Sequence, residues 1–125
     1  MTRQPSVPGP IAIVDDDAGM RGSLDSLMRS AGLVPRCFAD GAALLADAAH
    51  GGFACIVTDL HMPDMTGLEL QAEIVRRGWR QPVILMSAFS TDAVCRQASE
   101  AGVVAFLTKP IDPDCLIDAI EAAVH

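Results

Sequence analysis

The chain has 125 residues, half of them apolar and a fifth charged, and a formal net charge of −7 at pH 7. That length can bury a core without disulfide or metal staples, and the balance is that of one globular domain, which excludes a disordered chain. The acidic excess excludes nucleic acid and anionic membrane as partners of this segment, because their phosphates would be repelled.

No apolar run approaches the roughly 20 residues of a membrane span. The first ten residues, MTRQPSVPGP, lack the apolar stretch of a signal peptide. We expect residues 1–9 to be a disordered lead-in, residues 10–125 to be a single domain, and the chain to be cytoplasmic.

In chain order, Ile11, Ala12, Ile13 and Val14 read as a first strand that runs into Asp15, Asp16 and Asp17. Met20, Leu24, Leu27, Met28 and Ala31 then repeat at helical spacing up to Gly32. Residues 33–38 read as a weaker strand, and Pro35 suits an edge. Asp40 caps a second helix carrying Leu44, Leu45 and Ala48, closed by Gly51 and Gly52. Residues 54–57 form a third, β-branched strand that leads through Thr58 to Asp59. Leu68, Gln71, Ile74 and Val75 mark a third helix ending at Gly78.

Residues 82–86 are a fourth, fully apolar strand ending in Ser87. Thr91 or Asp92 starts a fourth helix whose apolar face is thin, so we expect it to be the least firmly packed. Residues 103–107 read as a fifth strand, followed by Thr108, Lys109 and Pro110, and residues 112–124 as the last helix. Five strand–helix repeats with continuous apolar strands predict a doubly wound α/β domain, a five-stranded parallel sheet with five helices on its two faces.

In such a sheet every strand ends at the same edge. Asp15, Asp16, Asp59, Ser87 and Lys109 then sit at four of five strand tips. If strands 1 and 3 are neighbours, three carboxylates meet and need a cation, and oxygen ligands with open water positions suit Mg²⁺. A nucleophilic Asp59, a metal, a lysine clamp and a hydroxyl are the equipment of phosphoryl transfer. Lys109 is the only lysine beside eight arginines, a hint that its compact charge is used.

These residues resemble the receiver domain of two-component response regulators. The resemblance covers residues 10–124 and rests on VDDD at 14–17, TDLHMPDMTG at 58–67, LMSA at 85–88 and FLTKP at 106–110. Residues 58–70 look most like the FixJ type, whose receivers usually precede a DNA-binding output domain. The resemblance implies a sheet in the order 2-1-3-4-5. It makes Asp59 the phosphoacceptor for a sensor histidine kinase and Asp16 a direct Mg²⁺ ligand assisted by Asp15. The backbone carbonyl of His61 would complete the protein ligands. Ser87 becomes the switch hydroxyl, Phe106 the switch aromatic and Lys109 the ion partner, with a cis Lys109–Pro110 bond. Phosphorylation would then reshape the face made by helix 4, strand 5 and helix 5, for an output domain, a partner or a second copy. His61 and Phe89, two places after the nucleophile and the switch hydroxyl, would tune the lifetime of the phosphoryl group.

Each residue also has a plainer reading. Acids at a helix start serve as caps and dipole partners; we assign that role to Asp17. Ser87 alone would be a turn residue, and Phe106 a core residue. An Asp15-x-Asp17 pair after a strand also mimics the nucleophile motif of haloacid-dehalogenase-like phosphatases. That enzyme reading leaves Asp59 unexplained and lacks a good second acidic pair. A non-phosphorylated interaction module on the same fold is the third reading, and the intact strand tips argue against it. Cys37, Cys55, Cys95 and Cys115 form no CxxC pair and read as reduced thiols used as small hydrophobes.

Overall fold

β-Branched and apolar runs bounded by turn residues form the strands β1 (Ile11–Val14), β2 (Pro35–Phe38), β3 (Cys55–Asp59), β4 (Val83–Ser87) and β5 (Ala105–Thr108). The amphipathic segments between them form α1 (Ala18–Ser30), α2 (Gly41–Ala46), α3 (Gly67–Arg76), α4 (Asp92–Glu100) and α5 (Pro113–Val124). The structure, a computed structural model, describes residues 9–47, 52–89 and 91–124. The expected lead-in therefore lies outside the described residues, Gly9 excepted.

Every strand pairing is parallel, and the order is β2-β1-β3-β4-β5. The three inner strands are buried at every residue, as a sheet covered on both faces requires. Pro35 begins β2 at one edge of the sheet, where the amide it lacks is not needed.

Strand alternation decides which side chains share a face. Ile11, Ile13, Cys55, Val57, Ile84 and Met86 meet Leu24 and Met28 of α1 and Leu116 and Ile120 of α5. On the opposite face Ala12, Val14, Ile56 and Val83 meet Leu44, Leu70 and Ile74 from α2 and α3. A smaller cluster of Leu60, Leu85 and Ala98 lies towards α4, with Phe106 partly buried against it. Burying a leucine or isoleucine in full contributes about 1.5–3 kcal/mol. α4 buries only Ala98 in full, so it is held far more weakly than α1 or α5. The thin face read from the sequence is thus the observed one.

Several boundaries and faces differ from expectation. β5 begins two residues later than predicted, because Val104 bonds to Val83 through its amide while its side chain stays more than half exposed. α2 ends at Ala46; Ala48 and Gly51 lie outside the described residues. On α3 the buried side chains are Leu70, Gln71 and Ile74, and Val75 is exposed. Helical geometry cannot turn Ile74 and its immediate neighbour Val75 equally inward. Among the cysteines only Cys55 behaves as a small hydrophobe; burial pushes its thiol up to about 12. Cys37, Cys95 and Cys115 are exposed and free, and the Cys37 sulfur lies 3.9 Å from the Arg21 carbonyl of α1.

Helix starts are fixed by side-chain caps. Asp17 accepts from the amides of Gly19 and Met20 at 2.9 and 3.4 Å, which is the capping role expected of it. Thr66 and Glu69 close a reciprocal capping box on α3. Thr91, the first of the two expected starts, caps α4.

Gly67 sets how closely α3 approaches the tip of β3. A Cβ there would lie 2.5 Å from Leu85 Cδ2, 2.6 Å from the Asp59 carbonyl oxygen and 3.0 Å from Leu60 Cα. The Gly67 amide donates to the Leu60 carbonyl at 2.9 Å, so loop and helix are stitched directly to the strand end. Gly67→Ala is expected to lower stability by about 1–3 kcal/mol through overpacking. Gly22→Ala, on an exposed turn of α1 with open space around it, is expected to raise stability by about 0.5–1 kcal/mol. Urea unfolding of the two variants checks both signs.

Candidate functional site

The strand register brings the polar tips together. Val14 is paired with Thr58, so Asp15 and Asp59 follow at equivalent places on neighbouring strands. Both continue the α1/α5 side of the sheet, after Ile13 and Val57. Asp59 itself pairs with Met86, and Ser87 with Thr108, which puts Ser87 one step and Lys109 two steps beyond the same row. By the same alternation Ser87 and Phe106 belong to the opposite side, the one facing α4.

Carboxylate oxygens of Asp15, Asp16 and Asp59 all lie within 4.8 Å of one another. Asp15 is fully buried, Asp59 nearly so, and Asp16 is exposed. Lys109 Nζ bridges the two buried acids, 3.5 Å from Asp15 Oδ2 and 3.4 Å from Asp59 Oδ2. The remaining Asp15 oxygen accepts from the Asp17 amide at 2.9 Å, and Arg21 donates to the Asp15 carbonyl at 2.7 Å. The His61 amide lies 3.4 Å from Asp59 Oδ1. The Lys109–Pro110 peptide is cis, as the resemblance implied.

Burial is the main cause that pushes the Asp15 carboxyl above its ordinary value. The Asp17 amide and Lys109 pull it back, and the charge on Asp59 adds to the rise. Three carboxylates against one ammonium leave two negative charges uncompensated. The donors are all hard oxygens, and one of them faces solvent. The residues present therefore fit a divalent cation such as Mg²⁺.

On the other side of Asp59, His61 Nε2 lies 3.1 Å from Ser87 Oγ, and the Phe89 amide donates to the same oxygen at 3.0 Å. The rings of His61 and Phe89 meet edge to face, with centroids 5.6 Å apart. Phe89 is 66 % exposed. Phe106 is partly buried beside Leu85 and Ala98.

The chain matches the response regulator receiver domain family over residues 11–121. It belongs to that family. It is 38 % identical to the transcriptional regulatory protein FixJ of Bradyrhizobium diazoefficiens over 118 residues, 94 % of this chain and 57 % of that one. It is 36 % identical to the response regulator protein TmoT of Ectopseudomonas mendocina over 114 residues, 91 % of this chain and 52 % of that one. The chain thus spans about half the length of the curated relatives it matches. The crystal structure of FixJ-N superimposes with a TM-score of 0.87 at 31 % identity, covering 98 % of this chain and 95 % of that one. The chemotaxis protein CheY4 of Vibrio cholerae, at 24 % identity and a TM-score of 0.84, shares the fold.

Every strand-tip residue singled out from the receiver resemblance lies in this one region. Asp17 does not join the acid cluster, since its side chain is spent on the α1 cap. That removes the second acid of the phosphatase-like reading. Three participants had not been singled out. Arg21, one turn into α1, reaches back to Asp15, and Gly67 pins the loop. Gln71 donates from α3 to the Ala101 carbonyl at the end of α4, at 2.9 Å. A glutamine on an otherwise apolar helix face was the visible signal for the last.

The buried acid has a measurable consequence. A carboxyl whose folded pKa lies above the ordinary 3.8 holds its proton more readily when folded. Stability then falls as pH rises through that interval, and the full cost persists above it. With divalent cations chelated, Asp15→Asn is expected to be more stable than the parent at neutral pH, and the gap to close as pH falls below 3.8. Urea midpoints from acid to neutral pH check it.

Proposed function

We propose that this domain is a phosphorylation-activated signalling switch in which Asp59 accepts a phosphoryl group from a sensor histidine kinase. The observation that carries the reading is the convergence of Asp15, Asp16, Asp59 and Lys109 at one sheet edge, with Ser87 beside them on the neighbouring strand tip. Asp59 attacks phosphorus, the bond from phosphorus to the donor's imidazole nitrogen breaks, and an acyl phosphate remains on Asp59. Held by Asp15, Asp16, Asp59 and the backbone carbonyl of His61, Mg²⁺ would neutralise the acids and receive a phosphoryl oxygen. Lys109 then turns from bridging two carboxylates to pairing with the new charge. Ser87 moves to donate to another phosphoryl oxygen.

The added charge is the signal. Ser87 and Phe106 lie on the side of the sheet facing α4, so displacement of Ser87 opens room into which the partly buried Phe106 can turn. The surface of α4, β5 and α5 changes with it, and Val104 already exposes apolar area there. That surface would engage a C-terminal DNA-binding output domain or a second copy of the chain. The length of the relatives, about twice this chain, supports the first. The relative from Bradyrhizobium diazoefficiens is named a transcriptional regulatory protein. Among the described residues no helix is long and apolar enough to cross a membrane, in keeping with a cytoplasmic domain.

Incubation with acetyl phosphate and Mg²⁺ should label the protein at Asp59, and Asp59→Asn should abolish the labelling. Labelling of that variant at the parent rate overturns the assignment. Phe89 and His61 flank the approach to Asp59, and the bulky Phe89 ring would hinder an attacking water. Phe89→Ala is therefore expected to shorten the acyl-phosphate half-life several-fold, read as loss of label after the donor is removed. An unchanged half-life would show that the ring excludes no water.

A further inference from the structure

We propose that the His61 side chain is a latch on the switch hydroxyl, holding Ser87 in its resting position until the phosphoryl group competes it away. The proposal rests on the phosphoacceptor reading above and adds a role for the imidazole, which the metal site does not use.

Ser87 is fully buried, so its hydroxyl must find partners inside the protein. Among the described residues it has two, the Phe89 amide at 3.0 Å and His61 Nε2 at 3.1 Å. A hydroxyl has one hydrogen to donate. The Phe89 amide is itself a donor, so the only acceptor available to that hydrogen in this pair is the imidazole nitrogen. If Nε2 instead carries the proton, the hydroxyl oxygen accepts from both neighbours. In the first arrangement Ser87 must surrender its bond to His61 before it can donate to a phosphoryl oxygen, and in the second any swing of the hydroxyl breaks that bond.

The latch is closed twice. The Phe89 residue that bonds Ser87 through its backbone also packs its ring edge to face on the imidazole, 5.6 Å between centroids. Ring contact, imidazole bond and amide bond form one closed circuit. It joins the loop after β3, which carries His61, to the loop after β4, which carries Phe89 and leads to α4. The first of these loops is tied to α3, where Gly67 comes so close to the Asp59 carbonyl and Leu60 that no Cβ would fit. The second enters a helix with one fully buried side chain. Breaking the bond therefore frees the β4–α4 side. The latch thus taxes the activated state by the strength of one buried polar bond, worth a factor of roughly 2 to 10.

The variant that tests this is His61→Phe, which keeps a ring against Phe89, keeps the backbone carbonyl at position 61 and removes the nitrogen. With divalent cations chelated, the Phe89 amide should exchange with solvent about 2 to 10 times faster than in the parent, because Ser87 no longer stays in place to receive it. With Mg²⁺ and acetyl phosphate, His61→Phe should raise the initial labelling rate by a similar factor. In a Ser87→Ala background the same substitution should have no effect on labelling, which a merely structural role for the ring would not predict. Unchanged exchange at Phe89, or an equal effect of His61→Phe with and without Ser87, overturns the latch. Labelling that survives Asp59→Asn would instead overturn the phosphoacceptor reading, and the metal-free exchange measurement would still decide the latch.

Discussion

Two carboxylates stand side by side on the tips of β1 and β3, and one ammonium group spans them. Their repulsion is not relieved by water, since Asp15 is fully buried and Asp59 nearly so. The core beneath holds the acids in place: Ile13 and Val57, the residues two before each, are buried against α1 and α5. Neither strand can slip without dragging alternate residues to the wrong face. The apolar interior thus keeps like charges together, and the site's appetite for positive charge follows from that constraint. Lys109 meets part of it, and a divalent cation would meet the rest.

The parts of this arrangement legible in the sequence were those that depend on position along a strand. Parallel strands end at one edge, so an acid after each of two apolar runs, a serine after a third and a lone lysine after the fourth were enough to locate the site. The order of strands came from the receiver resemblance, and the structure bears it out. What stayed hidden depends on approach in three dimensions. Nothing local marks Gly67 as the residue that lets α3 touch the Asp59 carbonyl. The bond between His61 and Ser87 joins residues 26 apart in the chain. Val75 belongs to α3 as its spacing suggested, yet it is exposed, because its neighbour Ile74 takes the inward place on the helical wheel. The start of β5 was placed too early because Val103 and Val104 suit a strand, though Val104 enters the ladder only through its backbone.

The two loops beside Asp59 are built on different principles. The loop after β3 is fixed by steric closeness, a reciprocal cap and the Gly67 amide bond, all of them insensitive to charge. The loop after β4 is held by polar contacts to one serine and by an exposed aromatic ring. A receiver needs this asymmetry: a nucleophile that stays where the donor must find it, and a neighbour that responds once the nucleophile is modified. A wholly rigid site would accept a phosphoryl group without relaying it, and a wholly soft one would lose the geometry for accepting it.

α4 carries the same asymmetry along its own length. Gln71 bonds the Ala101 carbonyl, Ala98 is the one side chain buried in full, and both lie near the C-terminal end. The Gln71 Oε1 is buried and has no partner among the described residues, so the amide holds this end by a single bond. The opposite end has the Thr91 cap of its own first turn and the partly buried Val94, packed against the cluster of Leu60 and Leu85. The helix is therefore anchored more firmly at residues 98–101 than at its start. From Ala98 back to Asp92 the helix runs about 9 Å, over which a tilt of about 10° moves the free end by about 1.6 Å. The site lies towards the less firmly held end, so the end of α4 nearest Ser87 is the one that costs least to displace.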